Sequence, residues 1–370
     1  MSHRRLGRAL LAACALLALS SVTTLALAAR RIVAGQAATA TASAPRCVPT
    51  TLNRSAVLSG TRMAVSPLPD SYDALPSTQI SLLGAPVHSL VGVSVSGSHS
   101  GSHRGRLLGY SQGDGASFVP YAPFSVGEIV TVRGRARIGS RAQPFAYHFA
   151  IAEHDVLPYA APSTHSNADP HEVQHFRSRP DLLPPAIAVT ARSAQAASGY
   201  LFAAPYAGPG PSGPLIFDEA GSPVWFQPLP TGTEATNLQV QQLDGQPVLT
   251  WWQGRIPPQG FGEGEEIIDN SSYRQIGRVH AGNGYKADLH DFHITPEDTA
   301  LITAFDPLAC NLSAFGGPSA GDLTDSIFQE IDLRTGLVRR EWHSLDHVAL
   351  AGSYSSPLGT SAEWPFDYFH

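Results

Sequence analysis

The chain of 370 residues holds three cysteines, two methionines and, at Lys286, a single lysine. Three cysteines cannot staple a small disulfide-framed domain, so the fold must rest on its own core. Charged residues make up 15% of the chain and hydrophobic residues 43%. That balance excludes a polyelectrolyte and supplies enough apolar material for a large core. The net charge is −6, and no basic stripe follows the N-terminus, so a nucleic-acid partner is not expected. There is no GxxxxGK[ST] sequence, no GxGxxG after a strand and no GxSxG elbow. Nucleotide-dependent chemistry and the common α/β serine hydrolases therefore have no visible home, and no cofactor is expected.

Glycine and proline are abundant instead, 34 and 30 residues. They favour turns and short strands over long helices. The length suits two or three domains.

Residues 1–28 read as an export signal. Arg4, Arg5 and Arg8 precede an apolar run from Ala9 to Ala28, and Ala26-Leu27-Ala28 is a small-x-small cleavage site. Two other readings stay open: Leu11-Ala12-Ala13-Cys14 resembles a lipobox, which would make Cys14 a lipid anchor, and the run approaches the length of an uncleaved membrane anchor. In each case the body of the protein lies outside the cytoplasm, and membrane contact is expected only through this N-terminal segment. Cys47 and Cys310 would remain, as a pair or as free thiols.

Residues 29–75 are rich in Ala, Thr, Ser and Pro and read as a linker. Residues 76–153 carry short alternating runs, Gln79–Leu83, Leu90–Ser96, Arg106–Tyr110, Ile129–Arg135 and Phe145–Ile151, divided by turn clusters. The spacing predicts an immunoglobulin-like β-sandwich. His99 and His103 fall in a Gly/Ser-rich stretch that reads as a polar hairpin tip rather than a metal site. Residues 154–197 form a Pro-rich connector. It contains His171-Glu172-Val173-Gln174-His175, the HExxH spelling of zinc proteases. That motif needs a helix to put both histidines on one face, and the prolines at 180, 184 and 185 argue for a turn instead.

From residue 198 to residue 370 the pattern becomes hairpins. Pro214–Phe217 and Pro223–Phe226 flank one turn, and Leu238–Gln242 and Pro247–Trp252 flank Asp244-Gly245. Glu266–Ile268 pairs with Arg274–Val279, Leu289–Ile294 with Ala300–Ala304, and Ile327–Ile331 with Leu337–Trp342. Taken in pairs they make four-stranded units about 50–60 residues apart, near the blade length of a β-propeller. A closed propeller has about 4–8 blades, and the chain shows about two and the start of a third. It therefore reads as cut within the propeller, and the 370 residues alone are expected to show no turnover. The fold class expected is all-β: an immunoglobulin-like sandwich followed by a partial propeller.

The chemistry-bearing cluster is Asp288-Leu289-His290-Asp291-Phe292-His293. Residues three apart on a strand face opposite sides, so His290 and His293 are not expected to share a pocket, and no metal is expected there. Asp367-Tyr368-Phe369-His370 repeats the acidic–aromatic–His grammar. Two histidines opening successive blades would converge on one axis.

Gly213–Asp218, Val224-Trp225-Phe226, Pro247–Gly254, Asp288–Phe292, Phe328–Asp332, Ser344–Val348 and Asp367–His370 together resemble the arylsulfotransferase propellers. The resemblance covers residues 198–370. It implies transfer of a sulfuryl group from an aryl sulfate donor to a phenolic acceptor by way of a sulfohistidine, with no nucleotide donor. It maps His290 and His370 onto pocket histidines that surround the sulfuryl group, and it puts the nucleophilic histidine in a later blade. His343 and His347 match the pattern at an outer hairpin, where a structural role is expected, and Trp251 and Trp252 are expected to pack the blades. The alternative is a non-catalytic extracellular propeller that binds a partner.

Overall fold

The computed structural model describes residues 46–138, 141–157, 169–206 and 208–370. The expected export signal, Cys14 and the first part of the expected linker lie outside the described residues. The fold is nearly all β. Among the described residues no helix is long and apolar enough to cross a membrane.

The N-terminal region contains β1 (Ala64–Ser66), β2 (Ile80–Leu83), β3 (Leu90–Gly97), β4 (Gly101–His103), β5 (Gly105–Gly109), β6 (Gly115–Pro120), β7 (Ile129–Ile138) and β8 (Arg141–Ala150). They form two four-stranded sheets, β1-β2-β6-β5 and β4-β3-β7-β8. The sheets share one core, with Ile80, Leu82 and Phe118 from the first and Val95, Val132 and Phe149 from the second. On β8, Phe145, Tyr147 and Phe149 are buried while Ala146 and His148 are exposed, the period of two that a strand with one wet face requires. Part of the stretch expected as linker is built into this region: β1 pairs with β2, and Met63 and Val65 are core residues.

The tip between β3 and β4 is the hairpin expected at His99 and His103. Glu128 pins it. Its carboxylate accepts the His99 and Ser100 backbone N–H groups at 2.9 Å, the Ser100 hydroxyl at 2.6 Å and the Ser125 N–H at 2.7 Å. In the connector, the HExxH segment is no helix: Val173 bridges Pro185, and His171, Glu172 and His175 are exposed. The face a zinc protease needs is not formed.

The second region begins with β9 (Leu201–Ala203), β10 (Leu215–Phe217) and β11 (Pro223–Phe226), ordered β11-β10-β9. Then come β12 (Glu234–Leu243), β13 (Gln246–Arg255), β14 (Glu263–Asn270) and β15 (Gln275–Val279), paired in chain order. The third sheet is β16 (Phe292–Ile294), β17 (Thr299–Cys310), β18 (Gly321–Asp332) and β19 (Val338–His343), also in chain order. A one-turn helix, α1 (Ser344–His347), follows β19, and β20 (Phe366–Asp367) runs parallel to β18. The β12–β13 turn shows why the hairpins were legible. Leu243 pairs with Gln246, and the two residues between, Asp244 and Gly245, have φ of 51° and 71°. That is the mirror-image turn that matches strand twist, and Asp-Gly is suited to it.

Trp252 lies fully buried among Ile268, Phe292, Ile302, Ile331 and Val338, drawn from the β12–β15 and β16–β19 sheets. Its indole N–H donates to the Ala287 carbonyl at 2.9 Å, so the one polar atom is satisfied and the ring acts as packing.

From Ala44 to His370 the chain is one compact unit, and its two regions meet through both an apolar cluster, in which Leu75 and Ala152 pack with Ala304, Leu308 and Leu323, and polar contacts. The Gln79 side chain donates to the Val338 carbonyl at 3.1 Å, and the Tyr110 hydroxyl donates to the same carbonyl at 3.0 Å. Arg339 reaches Asp114 at 2.9 Å and Glu330 at 2.8 Å. Cys47 and Cys310 form a disulfide, with Cα atoms 5.3 Å apart across 263 residues of sequence. This decides the alternative the sequence left open.

Candidate functional site: a pair of carboxylate-held histidines

His290 sits in the bend that leads into β16. The bend is fixed by Asp288, whose side chain is 0% exposed. Asp288 Oδ1 accepts the Gly262 N–H at 2.6 Å, and Oδ2 accepts the His290 N–H at 3.0 Å. The same Oδ2 lies 2.6 Å from His290 Nδ1. Gly262 has to be glycine for this approach, since a Cβ there would lie 2.6 Å from the Leu289 nitrogen. The Asp288 N–H donates to the Thr303 carbonyl at 2.8 Å, which anchors the bend to β17. The imidazole is thus held through Nδ1, and its side chain is 45% exposed, leaving Nε2 for chemistry.

His370 stands beside it. The two ring centroids are 5.1 Å apart with the planes at 88°. His370 Nδ1 lies 3.2 Å from Asp367 Oδ2, a half-exposed pair. Phe305 of β17 stacks on His370 at 4.8 Å and 21° and meets His290 edge-on at 6.2 Å. Phe261 stacks on Phe305 at 5.6 Å. The structure therefore brings together the two histidines named from the sequence and adds an aromatic wall that sequence reasoning missed. Phe261 and Phe305 carried no motif; only their place beside the Asp288 bend reveals them. His293 is exposed on β16 between buried Phe292 and Ile294, apart from the pair.

Other histidines sort differently. His347 stacks on Trp342 at 5.1 Å and 6°, and burial together with neighbouring His343 lowers its pKa. His154, from the connector, lies 2.6 Å from Asp306 of β17, which raises the histidine's pKa despite its partial burial. Asp306 follows Phe305 and so points to the other face of the sheet. Trp251 packs edge-on against Trp225 at 6.2 Å. An apolar cleft of about 250 Å³ lined by Phe202, Ile216, Val224, Val248, Leu249 and Tyr273 shares no residue with the histidine pair.

A second cluster lies wholly inside. His343, at the end of β19, is 5% exposed; its Nδ1 is 2.6 Å from Asp325 Oδ2 and its Nε2 is 3.0 Å from Glu341 Oε1. Burial pulls its pKa down, but Asp73 and Asp325 outweigh that and raise it well above the ordinary value. Burial pushes Asp73 up to about 6 and Asp346 up to about 8. No sequence motif joined these residues, because Asp73 is about 250 residues from the others.

Residues 239–370 match the family model of the arylsulfotransferases (ASST). Both histidines of the pair and both of their carboxylates fall within that stretch. No curated protein matches the chain. Among solved structures, the N-terminal part of the bacterial S-layer protein SbsC is similar at 11% identity and a TM-score of 0.20, covering 56% of this chain and 41% of that chain. The S-layer protein rSbsC(31-844) is similar at 10% identity and a TM-score of 0.19, covering 72% of this chain and 45% of that one. The chain spans less than half the length of either.

Proposed function

We propose that this is an exported arylsulfotransferase-like protein, in which the sheets β9–β11, β12–β15 and β16–β19 are propeller blades and the histidine pair binds a sulfuryl group. One observation carries the reading. Two imidazoles, each held at Nδ1 by a carboxylate, meet at 5.1 Å inside the stretch that matches the family.

In the reaction, the bond from sulfur to the donor's aryl oxygen breaks and a bond from sulfur to a histidine nitrogen forms. The leaving phenolate takes up a proton. The acceptor phenol then attacks sulfur, loses its proton and releases the histidine. Charge builds on the sulfuryl and leaving oxygens, where fixed N–H donors act most strongly. When protonated, His290 and His370 each offer Nε2–H to such an oxygen or to the leaving phenolate. The nucleophilic role is assigned to neither. Phe305 and Phe261 offer a flat apolar wall against which an aryl ring can stack. The disulfide between Cys47 and Cys310 and the basic, then apolar, N-terminus support an oxidising compartment outside the cytoplasm.

The test is release of nitrophenol from p-nitrophenyl sulfate with phenol as acceptor, using the full-length gene product. Turnover that falls about 100-fold or more in His290→Ala and in His370→Ala supports the reading. Binding of the aryl sulfate without release would leave a non-catalytic recognition platform, and neither binding nor release would end it.

A further inference from the structure

Asp73, Asp325 and His343 come from three separate segments: the loop before β2, the middle of β18 and the end of β19. All three are buried, and one ligand-type atom from each lies within 4.8 Å of the others. The geometry around them is that of a built site. Asp325 Oδ1 is occupied by the Ser344 hydroxyl at 2.8 Å and the Leu345 N–H at 3.2 Å, so Oδ2 is aimed at His343 Nδ1. Ser344 is itself held by the Tyr368 hydroxyl at 2.7 Å. Glu341 holds the far nitrogen of the ring at 3.0 Å.

Asp73 has no such support. It is 1% exposed, and neither carboxylate oxygen makes a hydrogen bond. The neighbouring Ser71 hydroxyl favours the ionised form, against burial, but makes no bond of proper geometry. Asp73 Oδ2 points at His343 Nδ1 from 4.0 Å. Asp346 and, more distantly, Asp306 add negative charge, while Arg54 faces Asp346 at 3.6 Å and His154 pairs with Asp306. One imidazolium cannot satisfy Asp325, Glu341 and Asp73 together, and a buried carboxylate left without a donor costs several kcal/mol.

We propose that Asp73 and Asp325, through carboxylate oxygens, and His343, through Nδ1, bind one divalent transition-metal ion of the Zn²⁺ or Mn²⁺ type. An imidazole with carboxylates suits these ions, whereas Ca²⁺ and Mg²⁺ prefer oxygen alone. Bonds of about 2.0–2.2 Å set ligand atoms roughly 3.0–3.5 Å apart around one ion, so Asp73 Oδ2 closes from 4.0 Å while Asp325 Oδ2 and His343 Nδ1 open from 2.6 Å as the ion takes the place of the proton between them. Glu341 takes the Nε2–H and so presents the Nδ1 lone pair to the ion, the usual arrangement of a carboxylate behind a ligating histidine. The ion would bind the N-terminal region to the β16–β19 sheet; it needs no part in sulfuryl transfer.

The experiment uses the untagged full chain, stripped with EDTA and titrated with Zn²⁺ or Mn²⁺, with bound metal counted by mass spectrometry and the melting temperature followed. We expect about one ion per chain, a higher melting temperature with metal, a 10–100-fold weaker affinity in Glu341→Gln and a still larger loss in Asp73→Asn. If the variants do not fold, the wild-type titration decides by itself. No uptake of either ion, with a melting temperature indifferent to EDTA, would overturn the proposal. So would undiminished binding in a folded Asp73→Asn variant.

Discussion

His290 and His343 are both histidines held by a buried aspartate 2.6 Å away, yet their surroundings differ in two respects that decide what each can do. His290 has a carboxylate on one nitrogen only and is half exposed, so its other nitrogen faces outward beside His370 and two phenylalanines. His343 has carboxylates at both nitrogens and is enclosed. The first arrangement suits an anion that comes and goes; the second suits a charge that stays. Counting histidines in a motif cannot separate the two, because burial and the number of acidic neighbours make the difference.

The comparison can be strained from both sides. The largest effect is expected at Asp325. Replacing it with Ala removes the partner of a buried imidazole and the acceptor for Ser344 and Leu345. Stability should fall by about 3–5 kcal/mol in denaturant unfolding, and a loss under about 1 kcal/mol would show that the cluster is not the strained, charged centre described.

Glu128 offers a control: a buried carboxylate with hydrogen bonds from N–H and O–H donors in place of a cation. Burial alone would raise its pKa, but the Ser100, Ser125 and His99 donors outweigh it and hold the group at about 2, against 4.5 when free. Its contribution is therefore complete above pH 4.5 and is lost as the pH falls toward 2. The shift corresponds to about 3 kcal/mol. Acid unfolding of Glu128→Gln should show that part of the pH dependence missing.

Next is Asp288→Asn. An amide cannot hold the Nδ1–H tautomer as a carboxylate does, so kcat/KM for p-nitrophenyl sulfate in the full-length gene product should drop about 100-fold. The effect should fall on kcat more than on KM and should change the pH profile, which a merely structural role would not. The smallest effect is expected from Asp367→Asn. That pair is half exposed at 3.2 Å, and its loss should cost only a few-fold, under about 1 kcal/mol. Equal effects of the two substitutions would erase the distinction drawn here between buried and exposed partners.

Much of the fold was legible because β-structure writes itself locally. Alternating burial on β8 and the Asp244-Gly245 turn are properties of neighbouring residues. The hairpins grouped as four-stranded units are the sheets β12–β15 and β16–β19. Strands β1, β4 and β6 escaped notice, since β1 and β4 have three residues each and β6 begins with small ones. Contacts across the two regions were beyond reach for a different reason. Gln79 with Val338, Ser111 with Asp332 and Asp73 with His343 join residues more than 200 positions apart, and polar residues in loops carry no periodicity that would announce a partner. At the site, the acidic–aromatic–His repeat pointed to His290 and His370, while Phe305 and Phe261 were hidden in a strand and a loop.

The claim on which the functional reading stands is that His290 and His370 jointly face an anionic aryl ligand. Nitrogen resonances of the labelled histidine rings, followed while p-nitrophenyl sulfate is added, test it most directly. We expect the Nε2 signals of His290 and His370 to move together along one binding curve while those of His343 stay fixed. If the pair does not respond, or if His343 moves in its place, the histidine pair is not the sulfuryl site.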